Sequence, residues 1–460
     1  MDSPPERRRP SQRSAAAALA LLAAVTAPGA ATAQDAAPAP PAGPSAGEGG
    51  GASAGAAAGA AADDEEYRTP LAGRRFETTI LGEPVVIEAR DRSRITALSL
   101  GAQWLEINGG ETDTTPIFSV FTKLMLEGRR VRAVVSGFVN TIDVAQDLGW
   151  GESLVHFENN TIPFATKEVI DGRARRETAL LWGDLSAWVG LGYRWRVGPG
   201  EVDNGLRVGA YYHVGWEYHQ RVHETPPDER VATDTMRHGV RLQLRCDALL
   251  RNVLELPHRG VAFGGDVELT RRDRWRDHGD LVSRRVDKDD TRDYLKLSGY
   301  FVLACGLPWL SERHRLVAQV HGGWAKHDTV DRFSAFRLGG GPIPTEAADL
   351  ARAPFPGAGF NQVPIEDYLY VTAEYRLEVL FFLYLHLRAT VGLAKAPTFE
   401  DGPGRLLRFR RREGYALTAA VSTGAPFESM LYVEYDYDVN GGLRGGNGGN
   451  TVLVLWSKSF

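Results

Sequence analysis

From residue 94 to the end of the chain, apolar and polar residues alternate with period two. Over 206–219, Leu206, Val208, Ala210, Tyr212, Val214, Trp216 and Tyr218 are apolar or aromatic. Between them stand Arg207, Gly209, Tyr211, His213, Gly215, Glu217 and His219. Successive side chains on a strand point to opposite faces, so this segment has one greasy face and one mixed polar face. The same alternation returns at 240–247, 261–269 and 383–390. A tilted strand needs about 9–11 residues to cross a bilayer, whereas strands in globular proteins average about 5–6. The long runs favour membrane-crossing strands.

The alternation predicts strands near 94–106, 116–127, 130–142, 152–158, 162–170, 176–195, 206–221, 236–251, 259–273, 291–305, 313–327, 366–379, 382–396, 413–423, 428–438 and 450–460. That makes sixteen, an even number as bacterial barrels require. Short connections (128–129, 159–161, 252–258, 306–312, 380–381 and 424–427) interleave with mostly long polar ones (222–235, 274–290, 328–365, 397–412 and 439–449). Short periplasmic turns and long extracellular loops are the asymmetry of outer-membrane barrels. The expected fold is all-β: a transmembrane antiparallel β-barrel of sixteen strands over 94–460. Val452, Val454, Trp456 and Phe460 share one face of the last strand, an aromatic C-terminal signal for assembly, although Lys458 interrupts the apolar series.

The first 33 residues read as a secretory signal peptide. Arg7, Arg8, Arg9 and Arg13 precede an apolar stretch at 15–25, too short to span, and Ala31-Thr32-Ala33 is an A-x-A cleavage site. Of the 28 residues at 35–62, 26 are Ala, Pro, Gly or Ser. Such a segment buries too little apolar surface to offset its ordering entropy, so 34–66 is expected to be a disordered linker. Residues 67–93 have room for a short periplasmic segment with strands at 76–80 and 85–89, not for a folded domain.

Composition narrows the functions. With 53 Lys+Arg against 58 Asp+Glu, the 460-residue chain has a net charge of -5, no basis for nucleic-acid binding. Two cysteines exclude a disulfide scaffold and Cys-rich metal sites. Cys246 and Cys305 fall on apolar faces of non-neighbouring strands and read as small lipid-facing residues. Asp436, Asp438, Asn440 and Gly441 spell the opening of a calcium loop, but the twelfth position is Asn447 in place of Glu. A hairpin end with an Asn-Gly turn accounts for them better. His213 and His219 line a lumen, too far apart to share a metal. The mixed charges of 271–293 read as an exposed loop, with lipopolysaccharide contact as the alternative reading. No G-x-S-x-G is present, and neither an enzyme nor a cofactor is expected.

Several segments, in order, resemble one family. They are 247–260 (DALLRNVLELPHRG), 294–302 (YLKLSGYFV), 315–324 (RLVAQVHGGW), 333–340 (FSAFRLGG), 368–377 (YLYVTAEYRL, with Glu374 and Arg376) and the terminal LWSKSF. Together they resemble the barrel of the BamA/TamA and two-partner-secretion superfamily, the bacterial surface antigen family. The resemblance covers the C-terminal 215 residues. It implies membrane-protein insertion or polypeptide translocation in the outer membrane, with lipid, barrel-assembly machinery and client polypeptides as partners. It also implies an inward-folding loop at 328–365, with Gly339, Gly340, Gly359 and Phe360 at its motif positions, and a weak seam between the first and last strands.

Two departures stand out. The family's loop carries Arg-Gly-Phe/Tyr, whose Arg docks onto acids of the wall; here the nearest match is Gly357-Ala358-Gly359-Phe360, with Ala358 in the Arg place. Arg352 is the candidate substitute, and Glu374, Glu434, Asp436 and Asp438 are its candidate acceptors. The family's periplasmic transport-associated domains are also missing from this chain. The alternative function is a passive channel for small solutes, with Arg207, Arg241, Arg245, Arg376 and Arg388 lining a polar lumen.

Overall fold

The computed structural model describes residues 68–80, 82–107, 111–137, 139–160, 167–170, 173–175, 178–227, 229–279, 288–307, 309–340, 349–359, 361–400, 406–425, 429–440 and 449–460. The proposed signal peptide and linker lie outside them, as does Phe360. The chain enters through a hairpin, β1 (Phe76–Ile80) and β2 (Glu83–Ile87). The wall begins with β3 (Arg94–Ile107), β4 (Glu111–Leu126), β5 (Arg129–Ser136), β6 (Asn140–Asp147) and β7 (Glu152–Asn159). A two-residue pair, β8 (Val169–Ile170) and β9 (Arg173–Ala174), stands apart from it. The wall resumes with β10 (Leu180–Trp195), β11 (Gly205–Arg221), β12 (Thr235–Arg251), β13 (Pro257–Arg272), β14 (Asp293–Gly306) and β15 (His314–Ala325). Inside the next connection β16 (Phe336–Leu338) pairs with β17 (Val363–Ile365). The wall ends with β18 (Tyr368–Leu380), β19 (Leu383–Glu400), β20 (Leu406–Ala425), β21 (Ser429–Asp438) and β22 (Gly449–Ser459).

These sixteen wall strands form one closed antiparallel barrel, β22 returning to β3. Closure leaves no unpaired edge, the condition for backbone to cross hydrocarbon. The alternation sorts side chains as expected: Val214 is 40% exposed on the outside, while His213 is 4% exposed on the inside. Outward Leu185, Val189, Tyr212, Leu242 and Leu387 make an apolar outer surface that suits lipid. The chain is therefore an outer-membrane β-barrel. Both ends of the wall and the turns 127–128, 252–256 and 381–382 lie at one rim, the periplasmic one by the loop-length rule. The longest connections lie at the other.

The strand count agrees with expectation, but two boundaries do not. The stretch 130–142 is two strands with a tight turn between them. Ser136 makes that turn: its Oγ donates to the Val139 carbonyl at 2.6 Å, and its amide donates to Asn140 Oδ1 at 2.9 Å. Conversely, 162–170 contributes no described wall strand; Val169–Ile170 pairs only with Arg173–Ala174. The connection 159–161 is thus the start of a long outer loop and not a short turn.

Candidate functional site

Inward positions of β18, β19 and β21 carry a charged ladder across the wall. Glu374 and Arg388 are register partners, and Arg376 faces His386. The Arg376 Nη2 group lies 2.7 Å from Glu374 Oε1, and Arg388 Nε lies 2.8 Å from Oε2. Arg388 also donates to Glu434 at 2.6 Å and to the Tyr432 hydroxyl at 2.5 Å. Tyr432 in turn donates to Glu434, and His386 joins Glu374 at 2.9 Å and Ser422 at 2.7 Å. Each of these groups is buried. A buried charge is tolerable only when paired and hydrogen-bonded, and here two arginines serve Glu374 and one of them also serves Glu434. Asp436 accepts from Thr418 Oγ1 at 2.6 Å.

The loop between β15 and β18 meets inward residues on opposite sides of this lumen. Gln103 of β3 donates to the Ala358 carbonyl at 3.3 Å. Lys296 of β14 donates to the Ser334 carbonyl at 3.1 Å, and His321 of β15 bonds the Leu350 carbonyl at 3.0 Å. Phe355 is fully buried, with its ring 5.1 Å from that of Tyr370. Leu338, Ala353, Ala358, Val363 and Ile365 complete an apolar cluster there. Gly339 requires its glycine: φ is +129°, and a Cβ would sit 2.0 Å from the Gly359 carbonyl oxygen. Gly340 also has a positive φ, and Gly357 approaches the backbone and Cβ of Asp438.

The structure does not take the loop's cation to the ladder in the expected way. Arg352 Nη2 donates to the Gly339 carbonyl at 2.5 Å, within its own loop. Burial pushes its guanidinium down to about 10, so it stays charged at neutral pH. The cations that meet Glu374 and Glu434 are Arg376 and Arg388, both from the wall. A loop arginine is unnecessary where the wall supplies its own.

Ion pairs tie the described outer-loop residues to one another and to the wall. Glu168 receives both Nη groups of Arg337, at 2.8 and 2.9 Å. Arg272, at the outer end of β13, pairs with Asp331 at 2.8 Å and Glu217 at 3.2 Å. Burial alone would raise the Asp331 carboxyl, but the Arg272 guanidinium overrides it and holds Asp331 well below the usual carboxylate range.

Sequence reasoning missed the contribution of 68–93 at the periplasmic rim. Ala72 donates to the Arg251 carbonyl at 3.0 Å, and Val253 donates to the Pro70 carbonyl at 3.0 Å. Arg92 grips Glu255, and Thr69 donates to Glu378 at 2.6 Å. Arg74 pairs with Glu201 at 2.6 Å, and the Phe76 and Phe381 rings are 5.5 Å apart. This strap holds the 252–256 turn, whose Leu254 packs inward on Tyr432, Leu453 and Leu455 of the facing wall. Arg376 donates to the Pro257 carbonyl at 2.6 Å, tying the ladder to the same turn.

The remaining candidates divide. Trp456 donates to Ser429 Oγ at 3.0 Å, and Phe460 exchanges backbone bonds with Thr96, closing the barrel at its periplasmic end. Nine positions join β22 to β3, whereas six join β5 to β6, so the seam is not the shortest pairing in the wall. Arg241 and Arg245 are committed to Asp266, at 3.1 and 2.6 Å. Cys246 and Cys305 are free thiols. Among the described residues no three His, Cys, Asp or Glu side chains are grouped to hold a metal.

No family model matches the chain, and no curated protein matches it. Solved structures do. A BamA from Haemophilus ducreyi lacking POTRA domains 1–3 is 11% identical over 84% of this chain and 75% of that one, with a TM-score of 0.46. CdiB from Escherichia coli gives 13%, 85%, 68% and 0.46. CdiB from Acinetobacter baumannii gives 10%, 84%, 65% and 0.43, so this chain spans just under two thirds of that protein. These are similar outer-membrane barrels; the architecture stated above rests on the closed sheet itself.

Proposed function

We propose that this barrel serves membrane-protein insertion or polypeptide translocation, and that it rests in a closed state. The observation that carries the reading is the 329–359 loop, which is packed against inward residues of β3, β14, β15 and β18. A passive pore gains nothing from filling its own lumen. A device that admits polypeptide on demand needs a plug that can yield. Client polypeptides and the barrel-assembly machinery are the partners of this reading, and no covalent chemistry enters it. The strap at 68–93 would stand where clients enter.

The passive-channel reading draws on the inward arginines. Four of them, Arg241, Arg245, Arg376 and Arg388, are already paired with four acids, Asp266, Glu268, Glu374 and Glu434. Paired arginines offer little attraction to a passing anion.

Planar-bilayer recording separates the two. The intact protein should give a small, erratic conductance, and deletion of 349–359 a large, steady one. A large, steady conductance from the intact chain overturns the closed-state reading. Insertion itself is tested in liposomes carrying the protein, which should speed the folding of a small outer-membrane barrel added from outside. Equal rates with and without the protein would remove insertion.

A further inference from the structure

Three outward glycines lie side by side across the lipid-facing wall. Gly265 of β13 pairs with Gly299 of β14, and Gly299 pairs with Gly322 of β15. Their neighbours of the same parity, Phe263, Val267, Leu297, Phe301 and Trp324, are all exposed, which fixes the glycines on the outer face. Gly299 and Gly322 floor a shallow, open groove in the wall, bordered by Leu297, Phe301, Val320, Trp324 and Leu369.

Packing within the wall accounts for two of the three: a Cβ at Gly265 would sit 2.9 Å from the Ser298 carbonyl oxygen, and one at Gly299 3.3 Å from the Gly264 carbonyl oxygen. At Gly239, elsewhere on the barrel, a Cβ would sit 2.0 Å from a backbone oxygen. At Gly322 the nearest atom is Leu369 Cδ1 at 3.6 Å, an ordinary contact. A side chain would fit there, and glycine in a strand interior costs stability. The missing side chain therefore leaves room for something outside the wall.

The rim above the groove indicates the occupant. Lys326 follows Gly322 and Trp324 on the same face, and its amide still pairs with the Leu295 carbonyl at 3.0 Å, so the ladder and its alternation continue to that point. Its side chain is exposed. Beside it Arg271 faces outward, 3.8 Å from Asp293; Asp328 and His327 lie just beyond, and Lys395 is paired with Asp367. Trp324 stands between groove and rim, where an amphipathic ring suits the headgroup level. Gly322 is three residues below the outer end of β15, in the outer half of the wall.

We infer that this groove seats one acyl chain of a phosphorylated outer-leaflet glycolipid, lipid A, with Lys326 holding its phosphate. The site is independent of the proposed function. It is tested on the folded protein in detergent, incubated with lipid A and read by native mass spectrometry after mild delipidation. The wild type should retain one lipid A. Gly322→Leu, which fills the groove, should retain at least tenfold less. Lys326→Glu should lose lipid A while keeping a dephosphorylated lipid A. Heat-modifiable migration checks that each variant is folded, and Leu369→Trp, which closes the groove from its other border, repeats the test if Gly322→Leu does not fold. Equal retention by wild type and a folded groove-filling variant overturns the site. So does equal retention of phosphatidylethanolamine and lipid A by the wild type, which would mark ordinary annular contact.

Discussion

The two mouths of the barrel carry different kinds of ion pair. At the outer mouth Arg272, Asp331 and Glu217 are all buried, each charge met by another away from water. At the periplasmic mouth Arg74, at 59% side-chain exposure, reaches Glu201, while Arg92 is itself buried but holds Glu255 and Asp203, which keep 12% and 21% of their side-chain surface in contact with solvent. Removing one partner of a buried pair strands a charge, at about 3–5 kcal/mol, while an exposed pair is worth about 0.2–1 kcal/mol. On the proposed function, the outer ion pairs would be the costlier to break and the periplasmic ones the easier. A polypeptide that enters from the periplasm would then meet the weaker barrier first.

The largest effect is expected at the outer mouth. Arg272→Ala should destabilise the protein by about 3–5 kcal/mol, since it leaves Asp331 and Glu217 buried without a cation. An unfolding titration in lipid measures this, and protease should begin to clip 329–359 from outside. A loss under 1 kcal/mol with the loop still protected would erase the contrast between the mouths.

The wall between the mouths provides the next test. Val214→Arg places a charge in lipid and should cost about 2–4 kcal/mol near the midplane, while His213→Arg, on the inner face, should cost much less. Equal folding titrations for the two variants would reverse the assignment of faces.

At the periplasmic mouth Arg92→Ala removes the grip on Glu255 and Asp203. A cost of about 1.5–3 kcal/mol is expected for hydrogen bonds to a charged group, with raised conductance and an outer loop still resistant to protease. A disulfide from Leu71→Cys and Asn252→Cys, positions that form a β-bridge, should suppress that conductance. Arg74→Ala should cost no more than about 1 kcal/mol, because its pair with Glu201 is exposed. If Arg74→Ala opened the mouth as far as Arg92→Ala, the strap would not be anchored where the buried contacts place it.

Acidity gives the mildest discrimination. The folded-state value of Asp331 is depressed, so the stabilisation it carries is complete above its unfolded value of about 3.9 and drains as pH falls below that. Protection of 329–359 should hold at pH 5 and decline below about pH 4, and Asp331→Asn should remove the dependence. Loss of protection between pH 7 and 5 would point to a different group.

Much of this molecule was set by local order along the chain. Period two alone places Val214 in lipid and His213 inside, because a strand has no other way to dispose of alternate residues. It also yields the barrel and its strand number, and the glycines of 339–359 mark a loop with unusual backbone. Alternation does not reveal where a run turns. The Ser136–Asn140 turn is made by side-chain hydrogen bonds within a stretch that still alternates, and of 162–170 the described residues 167–170 do not join the wall. Partner choice among charges was equally hidden. Glu374 lies among arginines separated from it by 2 and 14 positions, and Arg92 meets Glu255 across 163. Only closure of the sheet, which brings the inward faces of distant strands around one lumen, decides that Arg376 and Arg388 serve the acids there, that Arg352 stays within its own loop, and that a segment too short to be a domain lies across the periplasmic rim.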